Sequence, residues 1–132
     1  MNETKKQHLA RIIRRLGLMS WAERLRVGIL TVKTRRANRC FCASHDGGPL
    51  PPASLMHDPY GMVDYAWYWN TGKNSAHALG EIINASYDGG GQTIKVLEWG
   101  CGPARIIRHL AAAQSNRRYD LFGTDYNNKI IS

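Results

Sequence analysis

The sequence predicts an α/β protein in which helices come first and a parallel sheet begins late in the chain. Three observations carry this. Apolar residues recur at helical spacing through the first 36 residues. Two compact strand-like runs follow later, "TIKVLEW" at 93–99 and "YDLFGTD" at 119–125. Between them a glycine turn enters a helix-patterned stretch, and a strand–helix–strand unit of this kind requires parallel pairing with a right-handed crossover.

Leu9, Ile12, Ile13 and Leu16 form one face of a helix over 4–16, which Gly17 ends. "SWAE", 20–23, has the spacing of a capping box and predicts a second helix to about Arg36, with Trp21, Leu25, Ile29 and Val32 on one face. Prolines and glycines in "HDGGPLPPAS", 45–54, support neither helix nor strand, so a boundary is expected there. Next come two expected helices, 61–72 and 73–86, hinged at Gly72, and a flexible turn at 88–91. Strand 94–99 leads through the glycine turn to a helix from Pro103 to about 114, with Ile106, Ile107, Leu110 and Ala111 as its apolar stripe. There is no internal repeat.

The expected organisation is a basic helical arm (1–46), a linker with helices over the site (47–93), and a first strand–helix–strand (94–132). Two parallel strands do not make a covered sheet. The sheet is therefore expected to be incomplete, and 94–132 to be the truncated front of a larger α/β domain.

At 132 residues and 43% apolar content the chain suits one ordinary domain. Its formal charge of +8 is uneven: residues 1–39 hold eleven Lys or Arg against Glu3 and Glu23. Such an arm can contact an anionic surface, nucleic acid or an acidic partner, and no nucleic-acid motif accompanies it. No apolar run is long enough to span a membrane, and the charged N-terminus does not resemble a secretory signal. Three cysteines make a disulfide framework unattractive; reduced thiols and a cytoplasmic location are the expectation. Cys40, Cys42, His45 and His57 lack the usual metal-ligand spacing, so they read as loop residues and no metal is expected.

Chemistry concentrates in "VLEWGCGPARIIRHL", 96–110. The dinucleotide fingerprint G-x-G-x-x-G fails here, because Arg105 stands where its third glycine belongs. Glu98 also opposes a pyrophosphate at the start of the following helix. S-adenosylmethionine meets neither objection: it has no phosphate, and its sulfonium and amino groups are cationic. Glu98 suits those cations, bare glycine amides suit the ligand's carboxylate, and Asp125 at the second strand's end suits its ribose hydroxyls.

"VLEWGCGPARIIRHL" followed by "LFGTDYN" resembles motif I and the second-strand acid of class I S-adenosylmethionine-dependent methyltransferases, which have a Rossmann-like fold. Glu98, Gly100 and Gly102 match acid-x-Gly-x-Gly-x-Gly, and Ala104 replaces the last glycine, adding only a methyl group. The resemblance implies that Gly100, Cys101 and Gly102 line the methionine moiety. It further implies that Glu98 lies near the amino end and that Asp125, with Tyr126 beside it, holds the ribose. "YWNTGK", 68–73, is similar to a segment that some of these enzymes place over the cofactor, which adds Tyr68 and Gly72 to the expected cofactor residues. The start of Cys101's helix is the kind of place that lowers a thiol pKa, yet no catalysis is assigned to it. No general base is named.

The implied activity is methyl transfer to an unidentified acceptor, a small molecule or glycan ahead of nucleic acid. The chain alone is expected to be inactive. Two other readings remain: a dinucleotide-binding oxidoreductase fragment, and a non-catalytic basic helical binding module whose arm, 1–39, contacts an anionic surface.

Overall fold

A computed structural model describes residues 7–8, 11, 14–15, 17–87, 92–113 and 118–127. The described residues are mixed α/β, with a helical N-terminal region and an open two-stranded parallel sheet. In order, the elements are α1 (Met19–Ser44), α2 (Ala53–Tyr60), α3 (Tyr65–Ser86), β1 (Ile94–Trp99), α4 (Ile107–Ala113) and β2 (Tyr119–Thr124). The apolar positions expected to define the first helix, Leu9, Ile12, Ile13 and Leu16, and the turn at 88–91 lie outside the described residues.

The helices depart from the sequence expectation in four places. Leu18 takes the N-cap position of α1 and no side chain caps the helix, so the Ser20–Glu23 box does not form. Instead Glu23 faces His57, its Oε2 being 3.8 Å from Nδ1. α1 also continues past Arg36 to Ser44. In the proline-rich break, the coil ends at Pro52 and an unforeseen helix, α2, begins; Gly61 closes it in the left-handed conformation, its N–H donating to the His57 carbonyl. The expected hinge at Gly72 is absent, because α3 runs unbroken from Tyr65, with Asp64 accepting from the Trp67 amide as its N-cap.

Gly72 has a different task. A Cβ there would stand 2.1 Å from the Arg105 carbonyl oxygen, so only a glycine allows α3 to approach this backbone. Tyr68, Gly72, Ala76 and Gly80, four residues apart, are the buried face of the helix. α1 is fixed to the start of α3 by the buried Asn38. Its amide donates to the Val63 carbonyl (3.0 Å) and accepts from the Tyr65 N–H (3.0 Å).

β1 and β2 pair in parallel with Ile94 opposite Tyr119 and Trp99 opposite Thr124. Both strand ranges lie within a residue of those expected. One sheet face, with Ile94 and the partly buried Val96 and Leu121, packs toward the helices. The other leaves Leu97, Trp99 and Phe122 exposed. The core is small: Tyr68, Met56, Leu110 and Val63 are its largest fully buried side chains.

Candidate functional site

The strand ends bring the glycine turn and both acids together. Gly100 and Gly102 adopt left-handed φ of 69° and 52°, and so does Ala104, at 58°. The third motif position therefore needs more than space. An alanine there carries a left-handed backbone that costs about 1–2 kcal/mol, which corrects the expectation that the substitution adds only a methyl group. These left-handed residues also keep 103–106 out of regular helix, so α4 begins at Ile107 and not at Pro103.

The amides of the turn are not bare, contrary to expectation. Gly100 and Cys101 both donate to the Thr124 carbonyl, at 2.7 and 3.0 Å, and Gly102 donates to Asp125 Oδ2 at 2.8 Å. The other Asp125 oxygen accepts from the Asn127 amide at 2.9 Å. Glu98 Oε2 accepts from the Ile107 amide at 3.1 Å, capping α4. Both acids thus brace the turn, and each retains acceptor capacity because a carboxylate has about four lone-pair sites.

Burial raises the Glu98 carboxyl above its ordinary value, against the downward pull of the Ile107 amide and the Arg105 guanidinium. Burial, then the carboxylates of Glu98 and Asp125, also raise the Cys101 thiol. The helix start therefore does not activate it. Cys101 is buried, with Sγ against Gly123, where it fills space. Tyr126, beside Asp125, is 90% exposed.

Tyr68 and Gly72 lie against the backbone of the turn. The Tyr68 hydroxyl donates to the Pro103 carbonyl at 2.5 Å, and burial holds its pKa up at about 12. Two site neighbours escaped sequence reading. Tyr60, at the end of α2, places its hydroxyl 3.5 Å from where a Gly102 Cβ would be. Arg105 stacks its guanidinium over Tyr60 and Trp67 and donates to Thr71 Oγ1 at 3.1 Å, tying α2 and α3 to the turn. Pro52 before α2 and Gly61 after it were the available signals for that helix.

A pocket of about 580 Å³ opens between α1 and α2, and Glu23, Arg24, His57 and Asn127 are among its lining residues. His57 is buried, and its Nε2 has no hydrogen-bond partner among the described residues. Among the described residues no three His, Cys, Asp or Glu side chains come together as a metal site. None of the described helices is long and apolar enough to cross a membrane. No family model, curated protein or solved structure matches the chain.

Proposed function

We propose that the glycine turn is the cofactor cradle of a class I S-adenosylmethionine-dependent methyltransferase with a Rossmann-like sheet. One observation carries the reading: the three amides at 100–102 donate inward, while two carboxylates frame the turn. A pyrophosphate needs free donors at this place and meets acids. A ligand with a sulfonium and an ammonium group, and no phosphate, meets the charge it requires at the two acids, while its carboxylate takes its donors from outside the occupied amides of 100–102. Glu98 takes the cationic end and Asp125 the ribose hydroxyls, beside Gly100, Cys101, Gly102 and Tyr126. Tyr68 and Gly72 serve by fixing the turn from behind. Alignment of acceptor and methyl group supplies the catalysis.

Glu98→Gln tests this reading, since its carbonyl still caps Ile107 while the charge is removed. The variant is expected to lose about tenfold affinity for sinefungin and for S-adenosylhomocysteine, since both carry the ammonium group that Glu98 is placed beside. Because burial raises the Glu98 pKa, sinefungin affinity of the parent chain should rise with pH through that titration. On acidification it should begin to fall above the ordinary glutamate range. Unchanged affinity for both ligands, or a flat pH profile, contradicts the assignment of Glu98.

A further inference from the structure

We infer that the outward face of α1 docks on an anionic lipid surface, an interaction that does not rest on the methyltransferase reading. Trp21, Leu25, Ile29 and Val32 are 67%, 67%, 48% and 73% exposed. Their spacing places them in one stripe along the helix. At 100° per residue, Arg24 and Arg35 flank it on one side, and Arg26 and Lys33 on the other. Arg36 and Arg39 extend the same line toward the C-terminal end of the helix. Glu23 is the sole acid of α1, and it is turned toward His57 on α2. Asn38 and its bonds to Val63 and Tyr65 mark the side that faces the protein.

An aliphatic centre with a tryptophan, bordered by cations and free of acids, is the chemistry of a helix lying in a membrane interface. Apolar side chains enter the acyl boundary while arginines reach the anionic headgroups. Other occupants satisfy only half of this face. Nucleic acid would use the arginines and leave Leu25, Ile29 and Val32 in water. Stacking on bases needs aromatic platforms, and the one ring here, Trp21, is already covered by the Arg24 guanidinium at 5.6 Å. A second copy would bring two rows of arginine together.

The test is flotation of the full chain with vesicles of phosphatidylcholine, with and without phosphatidylglycerol. Binding is expected to the phosphatidylglycerol vesicles, to weaken as salt rises, and to be slight on phosphatidylcholine alone. The paired change Leu25→Ser with Val32→Ser should weaken binding at least about tenfold, since two aliphatic side chains leave the acyl boundary. Arg35→Glu with Arg36→Glu should abolish the preference for phosphatidylglycerol. All four positions are exposed, and an unchanged circular dichroism spectrum confirms that the variants fold. The inference is overturned by absence of flotation, or by full binding of the Leu25→Ser/Val32→Ser chain. Displacement from vesicles by an RNA or duplex oligonucleotide overturns it, and so does self-association that depends on Leu25 and Val32.

Discussion

Among the described helices α1 and α3 are the two long ones; both leave large aliphatic residues exposed, Leu79 and Ile82 in α3, and they differ in what they bury. In α1 the large residues Trp21, Leu25, Ile29 and Val32 point outward, and the helix is fixed through the buried amide of Asn38. In α3 the buried line is mostly small, Gly72, Ala76 and Gly80 following Tyr68, and its Tyr68 and Gly72 meet the glycine turn at Pro103 and Arg105. Helical periodicity reports a stripe without saying whether the protein itself covers it. Small residues four apart report close approach, and here they locate the site that the large residues do not.

The largest effect is expected from Gly72→Leu, which drives a side chain into the Arg105 carbonyl. It should lower stability by about 3 kcal/mol in urea unfolding. A neutral result would mean that α3 is not held against the turn. Asn38→Ala removes the partner of the Val63 carbonyl and the Tyr65 amide and should cost about 2 kcal/mol. Unchanged stability would show that α1 is not anchored there. Ala104→Gly relieves the left-handed alanine, offset by glycine's added chain entropy. A gain of about 0.5–1 kcal/mol is expected; a loss would show that residue 104 is not left-handed. Gly28→Ala is the smallest and has the opposite sign to Gly72→Leu. A Cβ at Gly28 meets nothing within 4 Å, so alanine should add roughly 0.5 kcal/mol through helix propensity alone.

The strands and their parallel pairing were legible because both runs are β-rich and the turn between them is marked by glycines. The clustering of Glu98 and Asp125 followed from the same pattern, since parallel strands deliver their carboxyl ends to one edge. Their bonds to Ile107 and Gly102 were not legible, because they depend on backbone amides that no side-chain pattern specifies. Gly72 was misread as a hinge because glycine weakens a helix in isolation. Tertiary contact reverses that cost when the alternative is a clash with Arg105. α2 was hidden by the prolines that precede it and by Pro59 within it, although Gly61 marked its end. The serine–glutamate spacing at 20–23 misled for a related reason: α1 begins at Met19, two residues before the start that a Ser20 cap would set, and Glu23 is drawn toward His57.

Calorimetric titration of the full chain with S-adenosylhomocysteine and with NADH sets a phosphate-free ligand against a pyrophosphate on the same turn. With the amides of Gly100, Cys101 and Gly102 already donating inward and two carboxylates beside them, S-adenosylhomocysteine should bind at least about 100-fold more tightly, a difference of about 2.8 kcal/mol. NADH binding as tightly or more tightly, with no response to Glu98→Gln, would contradict the assignment of this turn to S-adenosylmethionine.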